Sequence, residues 1–142
     1  MNNLSIYQEK ILGLAAKNKK IIALKDFNRS FEMRNPMCGD EVKVRIKLVE
    51  AKIIDISAVV RGCALCEASA GLVVELFKNK NVPDQKFLNE FLSWLENTEK
   101  SFSDQMPIEM KIFEPIREIK NRHKCITMPF EATCRSVDFR DN

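Results

Sequence analysis

Strict alternation of apolar and charged residues predicts β-strands in the first half of the chain. Residues 42–48 (VKVRIKL) place an apolar side chain at every second position. Because successive side chains of a strand point to opposite faces, one face of this strand should lie on a core and the other in water. A second strand follows the short connection near Glu50 and Ala51, and two strands joined so tightly pair antiparallel. Residues 30–34 are a candidate third strand. The apolar face of the second strand comprises Ile54, Ile56, Ala58 and Val60.

Apolar residues at helical spacing predict the elements on either side of these strands. Near the N-terminus such a stripe ends in the polar run 17–20 (KNKK), which indicates a first amphipathic helix followed by a loosely ordered connector. A second helix begins at Ala64, where small residues permit close packing against the sheet. A third occupies residues 83–97, with Pro83 in its first turn. The stripe of the first helix consists of Leu4, Tyr7, Ile11 and Leu14.

The last third of the chain shows helical spacing as well. A short helix is predicted around residues 112–119, and a last one around residues 126–137, in which Pro129 is tolerable only within the first turn. Residues 1–142 are therefore expected to form one α+β domain. Its core is a small antiparallel three-stranded sheet with helices packed on one face.

Composition limits the class of protein. A chain of 142 residues can bury roughly 70% of its unfolded surface as one domain. The net charge is only +3 and the two signs are interspersed, so nothing calls for nucleic acid or an acidic membrane as partner. With no apolar run behind a basic flank in residues 1–10, and no long apolar stretch elsewhere, a cytoplasmic protein is expected. Five cysteines in such a reducing compartment indicate metal binding or catalysis rather than disulfides.

Cys38 and Asp40 lie in a predicted turn between two strands. Pro36 biases Asn35 towards an extended conformation, and Gly39 allows a positive φ or a close backbone approach. A thiol and a carboxylate two residues apart can therefore point into one space.

Two further cysteines lie where helices are predicted to begin. Cys63 follows the strand end at Gly62, and the partial positive charge of the helix N-terminus should favour its thiolate. Cys125 comes directly after residues 122–124 (RHK) and just before the last helix. Both its basic neighbours and its position are expected to lower its pKa.

Three thiolates and one oxygen or nitrogen ligand would complete a tetrahedral zinc or iron environment. The alternative is that these cysteines are small buried hydrophobes. That alternative predicts cysteines on apolar stripes, as Cys134 is, rather than after a glycine or a basic triplet. Cys134 is therefore assigned to the core, and Cys38, Cys63 and Cys125 to a common site.

Three segments resemble, in order, the cysteine motifs of the NifU-like iron–sulfur cluster assembly family. They are residues 35–40 (NPMCGD), 62–69 (GCALCEAS) and 122–127 (RHKCIT). Lys124 rather than histidine precedes the last cysteine, and the long second interval leaves room for the helix inserted over residues 83–97. Both features resemble the Suf-type (SufU) branch of the family rather than the Isc-type branch.

The resemblance implies that Cys38, Asp40, Cys63 and Cys125 bind zinc and that Cys38 accepts persulfide sulfur from a cysteine desulfurase. In Isc-type relatives the matching cysteines hold a transient iron–sulfur cluster. Thiolates bind zinc and iron–sulfur clusters alike. Zinc and cluster therefore both remain open. The implied partners are a desulfurase of the SufS type and a downstream Suf-type assembly complex or apo iron–sulfur proteins. A plain zinc-stabilised interaction module is the alternative function.

Cys66 is not required by the chemistry of the family, and with Cys63 it creates a C-x-x-C motif. Such a motif at a strand-to-helix junction also suggests a thiol–disulfide oxidoreductase of thioredoxin type. The preceding strands, however, are predicted to form a hairpin rather than a βαβ unit. Cys66 is interpreted as a spare ligand, a resolving thiol or simply a helix residue.

The basic residues before Cys125 are auxiliary candidates. His123 is either a ligand or a structural side chain, since histidine is common at metal sites. Arg122 and Lys124 either stabilise a thiolate or persulfide at Cys125 or Cys38, or are ordinary surface charges.

Overall fold

The computed structural model describes residues 3–137, with side chains from Ser5 onwards, and contains one antiparallel sheet of four strands in that range. The side chain of Leu4, predicted on the first apolar stripe, lies outside the described residues. The three predicted strands are confirmed, and a two-residue fourth strand adds to them because it pairs with the start of the third. In spatial order the strands are β1 (Arg29–Arg34), β2 (Glu41–Val49), β3 (Lys52–Arg61) and β4 (Lys80–Asn81).

The alternation predicted for β2 is confirmed, whereas the face predicted for the start of β3 is wrong. Ile53 is buried and Ile54 is 39% exposed. The cause is a shift in pairing register: Lys47 lies opposite Asp55, but Leu48 lies opposite Ile53. This bulge leaves Ile54 as an extra residue, and one extra residue reverses which side chains face inwards.

Four α-helices are observed in the described part of the chain, and two 3₁₀ helices precede the last of them. The predicted short helix is the first of these 3₁₀ segments. Pro83 lies before the helix that it was predicted to start, since Asp84 is the N-cap residue and its carboxylate accepts from the Phe87 N–H at 2.8 Å. The helices are α1 (Asn3–Lys19), α2 (Ala64–Phe77), α3 (Gln85–Glu96) and α4 (His123–Ser136); the 3₁₀ segments are Ile108–Ile116 and Lys120–Arg122.

The last helix begins earlier than predicted. Because α4 starts at His123, Cys125 lies inside its first turn rather than before it. Pro129 is the seventh residue of α4, so its expected confinement to the first turn is wrong. Proline has no N–H to donate, and the Cys125 carbonyl four residues earlier therefore lacks its usual helical donor.

Helices cover one face of the sheet, as predicted. α2 packs on β3, α4 lies against β1 and β2, and α1 packs on α2. Large side chains such as Phe91, Trp94 and Phe130 fill the core. Among residues 3–137, no helix combines the length and apolarity needed to cross a bilayer.

The connector after α1 lies on the opposite face of the sheet and is more ordered than predicted. The Leu24 N–H donates to Ser57 Oγ at 3.0 Å, and Arg45 donates to the Leu24 carbonyl at 2.8 Å. Arg45 also stacks over the Phe27 ring at 4.5 Å. These contacts bury Ser57 on a face that alternation alone assigns to solvent.

Gly71 determines how closely α1 approaches α2. A Cβ atom at this position would lie 2.9 Å from the Leu14 carbonyl oxygen and 3.3 Å from Asn18 Cβ. The obstacle is largely backbone, so it cannot rotate away. By contrast, a Cβ atom on Gly13 of α1 would meet nothing within 4 Å.

We expect Gly71→Ala and Gly13→Ala to change stability in opposite directions. Gly71→Ala should lower the free energy of unfolding by about 1–3 kcal/mol, because the methyl group forces two packed helices apart. Gly13→Ala should raise it by about 0.5–1 kcal/mol, because alanine restricts the unfolded chain and favours the helix. Urea unfolding followed by circular dichroism measures both. A Gly71→Ala protein as stable as Gly13→Ala would contradict the close approach.

Candidate metal centre

The turn between β1 and β2 holds Cys38 at its tip. The Asn35 N–H donates to the Asp40 carbonyl at 2.8 Å, and the Gly39 N–H donates to the Asn35 carbonyl at 2.7 Å. Asn35 Oδ1 also accepts from the Met37 N–H at 3.1 Å. Gly39 has a φ of +79°, a region that glycine enters without steric cost, as predicted. The closed turn leaves the Cys38 thiol exposed and the Asp40 side chain buried.

The junction between β3 and α2 places Cys63 against Asp40. Cys63 is the N-cap residue of α2; its N–H lies 3.2 Å from Asp40 Oδ1 and its thiol 3.5 Å from Asp40 Oδ2. A Cβ atom on Gly62 would lie 2.4 Å from Asp40 Oδ1, so only glycine leaves room for the carboxylate. This steric role of Gly62 was missed from the sequence, where the available signal was a glycine directly before a cysteine at a strand end.

Cys125 completes the group from the first turn of α4. One ligand atom each from Cys38, Asp40 and Cys125 lies within 4.8 Å of the other two. Cys63 joins this trio through its contacts with Asp40. The structure therefore brings together all four residues that the sequence predicted to share a site, although they come from three separate segments of the chain.

Asp40 is ionised in this setting. Burial by itself raises the pKa of its carboxyl group, but hydrogen bonds from the thiols of Cys125, Cys38 and Cys63 and from the Cys63 N–H outweigh burial. The net effect holds the pKa of Asp40 below its ordinary value. A negative charge therefore lies among three thiols.

The lowered pKa predicted for Cys125 is wrong. The residue is 1% exposed, and burial raises the pKa of its thiol, with the hydrogen bonds to Asp40 and Cys63 acting in the same direction. The basic neighbours in sequence do not offset this effect, because Lys124 pairs with Glu131 at 3.1 Å and Arg122 is exposed. Arg122 and Lys124 are close to Cys125 in sequence, but their positive charges do not act on its thiol as predicted.

His123 is held away from the ligand set by the backbone. Its Nε2 atom lies 3.1 Å from the Ile116 carbonyl oxygen and 2.9 Å from that of Arg117. The ring thus fastens the start of α4 to the end of the first 3₁₀ helix, Ile108–Ile116, which is a structural role.

The two remaining cysteines differ in their relation to the site. Cys66 is fully buried in the first turn of α2, and burial raises the pKa of its thiol, with the Asp40 carboxylate adding to the effect. It therefore lies near Asp40, and three residues after Cys63 at the start of α2. Cys134 packs against the hydrophobic core, as predicted, and burial raises its pKa to about 12.

Comparison with known proteins matches this chain to characterised relatives. Residues 6–122 match the family described as the NifU-like N terminal domain, a match that includes Cys38 and Cys63 and ends just before Cys125. The zinc-dependent sulfurtransferase SufU of Bacillus subtilis is 23% identical over 107 residues, covering 75% of this chain and 72% of that protein. The iron-sulfur cluster assembly scaffold protein IscU of Thermotoga maritima is 26% identical over 132 residues, covering 89% of each chain.

Solved structures share the fold. A putative iron-sulfur cluster assembly scaffold protein for the SUF system from Fervidobacterium islandicum superposes with a TM-score of 0.78 at 23% identity, covering 96% of this chain and 100% of that one. A NifU-like protein from Brucella abortus gives a TM-score of 0.75 at 22% identity, with coverage of 93% and 92%. Because the family match spans most of the chain and the same fold recurs in these structures, the chain belongs to the NifU-like N-terminal domain family.

Proposed function

We propose that this chain is an iron–sulfur cluster assembly protein that accepts persulfide sulfur at Cys38 and holds zinc or a nascent cluster. Cys38, Asp40, Cys63 and Cys125 form the proposed ligand set. The observation that carries the proposal is the trio of ligand atoms within 4.8 Å of one another, with the Cys63 thiol 3.5 Å from Asp40. The names of the relatives, a zinc-dependent sulfurtransferase and cluster assembly scaffolds, support the same chemistry. Five free thiols suit a reducing compartment such as the cytoplasm.

Cys38 is suited to receive sulfur because it is exposed at the tip of a turn. Its thiolate attacks the outer sulfur of a persulfide on the desulfurase, a new S–S bond forms at Cys38, and the desulfurase cysteine leaves as a thiolate. The other three groups are fixed by β2, α2 and α4. Cys38 can therefore meet a partner while the remaining ligands stay in place.

Three sulfur donors and one oxygen donor fit a soft or borderline cation such as zinc or iron. When bound, such a cation would neutralise the negative charge that the thiolates and Asp40 share. The oxygen of Asp40 is the weakest of the four donors towards a soft metal. The Asp40 side of the site is therefore the position proposed to open for exchange, and the donors suit zinc and a cluster alike.

A cysteine desulfurase of the SufS type should turn over faster when this chain is present, because Cys38 removes the persulfide that otherwise blocks the desulfurase. Alanine formed from cysteine measures the rate. Cys38→Ser should reduce the stimulation by at least about tenfold, because a hydroxyl does not accept persulfide sulfur. Cys134→Ser, a change outside the site, should leave it intact. Absence of stimulation by the unmodified chain would instead favour the zinc-stabilised interaction module.

Zinc should leave the Asp40→Ala variant several-fold more slowly than it leaves the unmodified chain. Exchange is proposed to begin at the Asp40 oxygen, and the variant lacks that position. Gly62→Ala should slow zinc loss as well, since its methyl group takes the place of the carboxylate. Release to a chromogenic chelator measures both rates, and Gly13→Ala is the matched glycine control. Unchanged exchange in both site variants would contradict the proposed role of Asp40.

Iron and sulfide added to the metal-free chain should produce visible charge-transfer absorption if the site also serves as a cluster scaffold. Cys63→Ser should remove that absorption, because one of three thiolate ligands is lost. Equal absorption in Cys63→Ser and the unmodified chain would place the cluster elsewhere.

A further inference from the structure

Cys66 has no part in the ligand set, yet it is positioned to react with a member of it. Cys63 is the N-cap of α2 and Cys66 is the third helical residue, an interval across which a side chain can reach the backbone N–H of the other residue, although the Cys63 side chain makes no such bond. Residues three apart on a helix have Cβ atoms roughly 5–6 Å apart. A disulfide needs roughly 3.5–4.5 Å. Because Cys63 is an extended residue before the first helical turn, joining the two sulfurs would draw its backbone towards α2.

Burial arranges three thiols in order from solvent to core. Cys38 is exposed, Cys63 is partly buried and Cys66 has no exposed surface. The ligand atoms of Cys38 and Asp40 lie within 4.8 Å of each other, and the Cys63 thiol lies 3.5 Å from Asp40 Oδ2. Sulfur delivered at Cys38 therefore arrives at the carboxylate that Cys63 also contacts, and Cys66 follows Cys63 by three residues at the start of α2.

This order of thiols matters because the sulfur of a persulfide must be reduced before it can enter an iron–sulfur cluster. A persulfide carries sulfur at the oxidation level of the element, whereas the sulfur of an iron–sulfur cluster is sulfide. Each sulfur incorporated therefore needs two electrons. Two thiols that form a disulfide supply two.

We propose that Cys63 and Cys66 form a built-in dithiol that reduces the Cys38 persulfide to sulfide within the site. This inference rests on the proposed function, because the Cys38 persulfide is its starting species. Cys63 attacks the outer sulfur of that persulfide, and Cys38 leaves as a thiolate. Cys66 then attacks the Cys63 sulfur, which forms the Cys63–Cys66 disulfide and expels hydrosulfide.

The atoms and electrons balance without an external reagent. One persulfide and two thiols become one thiol at Cys38, one disulfide and one hydrogen sulfide, with all three protons retained. The transferred sulfur gains two electrons and the Cys63–Cys66 pair loses two. A second turnover requires a thiol or dithiol reductant, so the chain alone releases at most one sulfide.

To test the built-in dithiol, the fully reduced chain is loaded with sulfur from sodium polysulfide and desalted without oxygen, and no further thiol is added. The unmodified chain should release about one sulfide per chain, and peptide mapping should show a Cys63–Cys66 disulfide. Cys66→Ala should retain the added sulfur as a persulfide and release sulfide at least about tenfold more slowly. Cys134→Ala is the matched control and should behave as the unmodified chain. The disulfide map needs no substitution, so it stays informative if Cys66→Ala fails to fold.

A second loading, with a cysteine desulfurase and cysteine, separates the two proposals. If Cys38 acquires no sulfur from the desulfurase, the proposed function is overturned. If Cys38 is loaded but the unmodified chain forms no Cys63–Cys66 disulfide, or Cys66→Ala releases sulfide at the unmodified rate, the built-in dithiol is overturned.

Discussion

The Asp40 carboxylate is the point at which the separate parts of this fold meet. It accepts a hydrogen bond from the backbone of Cys63 and lies among the thiols of Cys38, Cys63 and Cys125. Sheet register places it there, because Glu41 pairs with Arg61 and the next residues outwards are Asp40 and Gly62. A slip of one residue between β2 and β3 would turn Asp40 to the other face and separate it from Cys63. The hairpin is thus a requirement of the site as much as of the fold.

Helix packing then fixes Cys63 and Cys125, which lie at the starts of α2 and α4. Ser69 on α2 donates to the Ile126 carbonyl on α4 at 2.5 Å, one residue beyond Cys125. At the other side of α2, buried Asn18 of α1 donates to the Ala58 carbonyl of β3 and to the Glu67 carboxylate. These bonds join α1, α2, α4 and the sheet around one end of α2. The positions of the site thiols therefore depend on hydrogen bonds that none of the ligand side chains makes itself.

The sequence predicted the elements well and their three-dimensional surroundings less well. Alternation in β2 is unambiguous, but Ile53 and Ile54 are both apolar, so no pattern could show which one the bulge turns outwards. The two-residue β4 is too short to have a period. The site residues were identifiable from their motifs, whereas the pKa of Cys125 depends on burial and on Asp40, which is far away in the sequence. Lys124 is adjacent in sequence yet pairs with Glu131 on its own helix.

The uneven burial of the four groups is consistent with the proposed function, in which one site holds a metal or cluster and also releases it. Asp40 and Cys125 are 4% and 1% exposed, so moving either would expose core and break hydrogen bonds. Cys38 is on a turn that solvent already surrounds, and its thiol can move away at little cost in buried area. Cys38 is therefore the group that can move out to a partner and Cys125 the group that stays in place, while the weak bond that Asp40 would make to a metal can break without any movement of the buried carboxylate. A fully buried Cys66 extends the same gradient of burial inwards.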